Sequence, residues 1–528
     1  MGIGARSRLA RVFGIDPRSL AAVRIGFGAI LLVDLLLRTS HLRAAYTDSG
    51  AVPRAEIDPW LRETIAPLHL LSGSFAWEAL LFVVAGGFAL LLLVGLWTRV
   101  AMVASWLLLL SLQARNPLVL NFGDQILRVT MFWALFLPLG RCWSVDAWRA
   151  GRAASDEPVV SVASAAFLLQ VFLLYLFTAI LKSGADWHAD GTALYYAMQL
   201  DWMVQPLGIW LREHFALTQL LTWSTLVLES VGPFLLLTPW WPTRLLAALA
   251  FMSLHVGISM ALRLGVFPWI DVTVLLAFLP REAWDWLEGL ARRVLGRASL
   301  PAAGSTPRPS SPPLPRVVSV GLVVLLAYVV AHNVASVRPD LALPESSERV
   351  LRWIGLQQKW LMFTPNVTRD DGWFVLPARL ADGRILDVSP HGPELHWRKP
   401  ELLSADFASA RWARLLHQQS FATANGSLRR AYVRWLCREW NASHPESERL
   451  ERVDVIFMLE RSPPPGWSAS VEPIHLASHD CPQPGARPRP GWDRAVPESG
   501  SEPAPMVALP PRVAGAPLAG AEPHVSTR

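Results

Sequence analysis

The chain is 528 residues long, 52% hydrophobic and only 17% charged, against about 25% charge in soluble domains. With a mean hydropathy of +0.31, this excludes a fully disordered or wholly water-soluble protein and describes a membrane protein with a soluble portion. The net charge of +6 does not require nucleic acid, because arginines flanking apolar spans produce the same excess; no nucleic-acid partner is expected.

Crossing the hydrocarbon core takes about 20 apolar residues. Nine runs approach that length, near 20–38, 75–95, 100–114, 124–140, 159–182, 216–237, 243–262, 264–280 and 317–336. The third and fourth are short, so the expected fold is an all-α polytopic bundle of eight or nine transmembrane helices. The first run reads as a span rather than a cleavable signal, since it carries Arg24 and Asp34 and continues into Thr39, Ser40 and His41. Arginine density sets the orientation, because cytoplasmic loops retain positive charge. Arg6, Arg8, Arg11, Arg18, Arg99, Arg141, Arg149, Arg152, Arg244 and the 281–316 connection fall on one side, and a sparser set falls on the other. Nine spans then leave the N-terminus cytoplasmic and the C-terminal region exoplasmic.

After the eighth span, 298–316 has the proline- and serine-rich composition of a linker. The ninth span, 317–336, leads into 345–462, where tryptophans mix with charges and Asp382-Gly383 signals a hairpin turn. A small α+β extramembrane domain is expected there. From 463 to 528, proline, alanine, glycine and serine dominate, and a disordered tail is expected. Cys142, Cys437 and Cys481 allow one disulfide at most and lack the paired spacing of a metal site, so no metal is expected. Neither a phosphate-binding Gly-x-x-x-x-Gly-Lys loop, nor His-Glu-x-x-His, nor Gly-x-Ser-x-Gly occurs, which removes support for NTP hydrolysis, zincin proteolysis and the α/β-hydrolase elbow.

Charges inside the apolar runs carry the functional signal. Each Arg or Asp at mid-membrane costs about 2.5–3.5 kcal/mol on insertion scales. The eleven Leu, Ile, Val and Phe residues of the first run contribute roughly 3–7 kcal/mol, and Arg24 with Asp34 offsets roughly 5–7 of it. Ten residues, about 15 Å of helix rise, separate those two, so their partners must lie on other helices. Counting depth from the helix ends pairs Arg24 with Glu229. It places Asp34, Arg128, His255 and Asp271 in the outer half, with Lys182 at the outer end of the fifth span, as an outward-facing polar cavity would require. The same charges also suit structural pairs, Arg24 with Glu229 and Arg128 with Asp34 or Asp271, with His255 a satisfied core histidine. Lys182 stands out by composition: of 48 basic residues only Lys182, Lys359 and Lys399 are lysine. Arginine snorkels to an interface as well as lysine does, so a lysine here points to a group that can lose its proton and act as a base.

Tyr175-Leu-Phe-Thr-Ala-Ile-Leu-Lys182-Ser-Gly-Ala-Asp186-Trp187 resembles the vitamin K-dependent gamma-carboxylase superfamily, and specifically its bacterial HTTM (horizontally transferred transmembrane) domain branch. Tyr46 to Arg54, Arg115-Asn116-Pro117, Trp143-Ser144-Val145-Asp146, Leu254-His255 and Phe267-Pro268-Trp269 agree, as does Gln358-Lys359-Trp360-Leu-Met362-Phe363-Thr-Pro365 beyond the membrane block. The resemblance covers residues 15–290 and a shorter piece near 355–390. It implies a carboxylase-like, carbon–carbon lyase type of enzyme in a bacterial inner membrane. It further implies a reduced quinone of the vitamin K or menaquinol type as cofactor and a protein or peptide substrate. Lys182 would be the general base and His255 its catalytic companion, with Asp34, Arg128, Asp271 and Trp187 lining the cofactor cavity. Where the carboxylases place a histidine before Trp-Ser-Val-Asp, this chain has Arg141-Cys142. The alternative reading is a non-enzymatic transporter or toxin-immunity-type protein whose intramembrane charges hold helices together.

Overall fold

The computed structural model describes residues 9–58, 62–151, 157–295, 314–390, 392–420, 426–481 and 506–516. Most of the expected linker, and of the tail beyond Cys481, lies outside the described residues. Each of the nine apolar runs forms a helix: α1 (Pro17–Thr39), α2 (Phe75–Val94), α3 (Thr98–Arg115), α4 (Phe122–Ala134), α5 (Val162–Leu181), α6 (Phe215–Leu236), α7 (Trp241–Ala261), α8 (Phe267–Leu275) and, after the amphipathic α9 (Arg281–Leu295), α10 (Arg316–Val337). Five of them, α1, α2, α5, α7 and α10, are long and apolar enough to cross a membrane; α8 with its 3-10 continuation to Phe278 is a shorter apolar helix. The protein is a multi-pass membrane protein.

Polar caps set the helix ends. Asp16 accepts from Arg18 N at the start of α1, and Asn121 and Asp124 form a reciprocal capping box on α4. At the opposite end of the bundle from that box, Asp146 accepts from Trp97 N and Thr98 N, opening α3. Chain contacts place alternate helix ends together. Ile15 pairs with Val159, Arg18 with Asp285, and Arg244 donates to Arg11 O and Val12 O, at the end where α1, α5 and α7 begin. The other end carries the C-terminal portion.

That portion comprises α11 (Glu345–Trp353), α12 (Ala410–Ser420), α13 (Gly426–Ser443) and a five-stranded antiparallel sheet of β1 (Asp370–Val375), β2 (Pro377–Leu380), β3 (Ile385–Asp387), β4 (Leu450–Arg461) and β5 (Ser470–Asp480). β1 and β2 lie end to end along one edge of β4, β3 flanks β2, and β5 runs along the other edge. One buried cluster joins Val453, Ile456 and Leu415 of this layer to Tyr46, Tyr195 and Leu262 of the membrane block, so the two share a core. β5 corrects the expectation of disorder from residue 463. Ten register pairs with β4 bond one edge of its backbone, and a Cys437–Cys481 disulfide ties its end to α13.

Candidate functional site

Tyr175, Thr178 and Lys182 recur at helical spacing along α5, so one face of its last two turns carries a phenol, a hydroxyl and an amine. Lys182 caps the C-terminus of α5, where the helix dipole favours a cation. Its side chain is buried, 4% exposed, and its Nζ is ion-paired with Glu229 of α6 and sits 4.4 Å from the centre of the Trp187 ring. Two turns deeper, Tyr175 Oη lies 2.9 Å from His255 Nε2 and donates to Asp271 Oδ1 at 3.5 Å. His255 Nδ1 is 3.7 Å from Asp271 Oδ2, and these two buried atoms have no hydrogen-bond partner among the described residues. The Tyr175 ring stacks on Phe251, centroids 4.0 Å apart, which fixes the phenol against α7. Lys182 is within electrostatic reach of His255, and Glu229 of both Tyr175 and Asp271. Five polar side chains from α5, α6, α7 and α8 thus form one sealed group.

Of the residues expected to share a cavity, Lys182, His255, Asp271 and Trp187 come together, and Asp34 and Arg128 do not. Asp34 belongs to a separate network in which Arg38 bonds Asp34 and Asp124 at 2.8 and 2.9 Å, and Arg411 of α12 grips the same two carboxylates. Arg128 donates to Gln113 Oε1, Gly355 O and Gln357 O at 2.8–3.0 Å, pairing with neither Asp34 nor Asp271. Arg24 likewise has no contact with Glu229. It donates to Leu92 O and Leu93 O, satisfying the end of α2, and to Trp143 O. The depth count misplaced Glu229 because the first turns of α6 belong to the loop layer at the end of the bundle that carries the C-terminal portion. Thr222 accepts there from Leu194 N, so Glu229 arrives level with the end of α5. Glu229 as the lysine's partner and Tyr175 as the link between His255 and Asp271 were not expected. The seven-residue interval from Tyr175 to Lys182 was the available signal for the second.

The motif residues around this group hold the chain in place. Gly184 N donates to Pro365 O, and a Cβ on Gly184 would meet that carbonyl at 2.6 Å, so glycine permits the segment 361–368 to lie against the loop after α5. Asp186 accepts from Thr192, Val367 N and Arg369, and Trp187 Nε1 donates to Phe363 O. The two distant family-like segments therefore meet directly over Lys182. In the same manner Arg54 bonds Asp48, Arg115 donates to Val52 O and Asn116 to Ala45 O, folding the 46–54 loop onto α3.

A cavity of about 370 Å³ lies outside this group, between the start of α4, the end of α7, the start of α8 and the helix α12. Phe267, which lines it, packs edge-on to the His255 ring at 6.0 Å, and Phe363, also lining it, belongs to the segment over Trp187. Asp201, Asp371 and Glu460 converge nearby in the extramembrane layer, with Lys399 bound to Asp201 and Glu460; this is an ion-pair knot joining β1 and β4 to the membrane block.

Comparison with known proteins gives one family: the HTTM domain matches residues 14–286, just over half of the chain. Neither a curated protein nor a solved structure matches it. The chain belongs to the HTTM domain family, membrane proteins related to the carboxylases.

Proposed function

We propose that this protein is a quinol-dependent modifying enzyme of the bacterial inner membrane in which Lys182 acts as general base. The observation that carries the reading is the sealed Lys182–Glu229 pair lying beside the Tyr175–His255–Asp271 group. A lysine becomes a base only where its charge is disfavoured, and burial from water does that. Glu229 offers a place for the proton: within a low-dielectric pair, moving it from ammonium to carboxylate leaves two neutral groups, a carboxylic acid and a free amine. Among the described residues His255 Nδ1 and Asp271 Oδ2 lack partners, and a ligand hydroxyl reaching them would satisfy both. Bound there, a reduced quinone of the vitamin K or menaquinol type would supply reducing power and, with oxygen, a strong base for a protein or peptide substrate. Asp34 and Arg128 bond within other networks, which tie α1 to α4 and α12 and α4 to α3 and the 355–357 segment.

We place all nine apolar helices across the bilayer, with the N-terminus cytoplasmic and the C-terminal domain exoplasmic. The alternation of helix ends supports this, as does the arginine-rich end holding Arg18, Arg244 and Arg281. So does the Cys437–Cys481 disulfide in the C-terminal portion, since disulfides persist in oxidising compartments.

The test uses the purified full chain in nanodiscs supplied with a reduced short-chain menaquinone and oxygen, following quinol loss by ultraviolet absorbance. Lys182→Arg keeps the charge and the Glu229 partner while abolishing proton abstraction, so the rate is expected to fall about 100-fold or more. A rate equal to the unaltered protein's refutes Lys182 as the base, and an unaltered protein no faster than empty nanodiscs leaves a non-enzymatic membrane protein.

A further inference from the structure

We propose that the cavity at the junction of the membrane block and α12 is a binding site for the phosphate group of a lipid headgroup or a phosphate ester. This stands independently of the quinol reading. The cavity is of ligand size, and its charge is one-sided: Arg263, Arg411 and Arg414 line it and no carboxylate does. Arg411 is matched by Asp34 and Asp124, whereas among the described residues neither Arg263 nor Arg414 is ion-paired with a carboxylate. Burial draws the Arg414 guanidinium below its ordinary value, with only Asp124 acting against it. The neighbouring His417 is pushed down to about 3 by burial and then by Arg414, which leaves it neutral. An anion in the cavity would offset the partly buried guanidinium charge that no carboxylate of the lining matches, and a phosphate presents oxygens that fit the planar arginine fork.

Two further features point to the same occupant. Among the described residues, Trp202 Nε1, on a side chain buried against His417, is a donor without a partner, and Thr364 Oγ1 is another unpartnered polar atom of the lining. The apolar wall includes Leu361, 49% exposed, and Phe267 at the start of α8. Asn121 caps α4 and Arg263 follows the end of α7, so the cavity lies level with the membrane helix ends, where lipid phosphates reside. Arg411 and Arg414 thus come from α12, while the apolar wall is supplied by α8 and by Leu361 to Phe363.

The phosphate could come from a bilayer phospholipid or from a soluble phosphate ester, and the experiment separates them. The full chain, purified in detergent, is titrated separately with phosphatidylglycerol, phosphatidylcholine and inorganic phosphate, and retention is read by native mass spectrometry. Retention of phosphatidylglycerol over phosphatidylcholine, lowered about five-fold or more by Arg414→Gln, supports the site with a lipid source. Binding of inorganic phosphate alone, with the same dependence on Arg414, supports it with a soluble source. Trp202→Phe keeps the stacked ring and removes one donor, so it decides the matter, by a loss of about three-fold or more, should Arg414→Gln fail to fold. Equal retention of the two lipids without phosphate binding, or retention indifferent to the folded variant, overturns the proposal.

Discussion

Replacing Arg411 by methionine should loosen α12 from the membrane block far more than the loss of a surface ion pair would. The guanidinium donates to Asp34 Oδ1 at 2.9 and 2.6 Å and to both oxygens of Asp124 at 2.8 Å. All four members of the network are buried or nearly so: the side chains of Arg38, Asp34 and Asp124 are 0–4% exposed and that of Arg411 is 14% exposed. Two arginines balance two aspartates, so removing Arg411 leaves one carboxylate uncompensated out of water. A broken buried pair costs about 3–5 kcal/mol, against about 0.2–1 for an exposed one. If that cost falls on the docking of α12, amides in 410–420 should exchange with deuterium about 100-fold or more faster. Hydrogen exchange of the purified protein, read by mass spectrometry, measures this directly. Adding Asp34→Asn to the same chain restores charge balance around Arg38 and Asp124 and should recover part of the protection. Less than about five-fold acceleration in the single variant would show that the network behaves as a solvated one, refuting the argument from burial.

Other outcomes follow from the same contacts. A double-mutant cycle should give a coupling on the order of 1 kcal/mol or more between Lys182 and Glu229, and none beyond error between Arg24 and Glu229; the reverse would restore the pairing expected from depth. Burial, and then Asp201, pushes the Asp371 carboxyl up to about 7, against the opposing pull of Lys399. The folded chain therefore holds a proton that the unfolded chain has released between the ordinary carboxylate range and pH 7, so stability falls as pH rises through that window. The melting temperature should drop between pH 5 and pH 8, and Asp371→Asn should flatten the dependence; an unchanged slope would assign it to other groups. Replacing Cys437 and Cys481 together by alanine should cost about 2–4 kcal/mol, and limited proteolysis should then cut within 470–480, which resists in the disulfide-bonded protein. Equal resistance with and without the disulfide would show that strand pairing alone secures β5.

Much of the architecture was legible in the chain because a membrane span announces itself by length and apolarity, both local properties. All nine runs became helices, and the helix-end position of Lys182 followed from counting. The Asp382-Gly383 turn fell between β2 and β3, where the hairpin signal placed it. The strand β5 was not legible: Ser470–Asp480 contains Pro473 and two histidines, and its backbone partner β4 is supplied by a segment whose pairing no local pattern reveals.

The polar residues divide along the same line. That Lys182, His255 and Asp271 must leave lipid was determined by the sequence, since a charge in hydrocarbon has a cost whatever its neighbours. Which residue satisfies each was decided only by the rotation and axial offset of packed helices. The first turns of α6 shift Glu229 to Lys182 rather than Arg24, α12 brings an arginine from nearly 400 positions away in the chain to Asp34, and helix-end carbonyls rather than carboxylates take up Arg24. Hydrophobic periodicity reports a cost of burial and carries no information about the partner that offsets it.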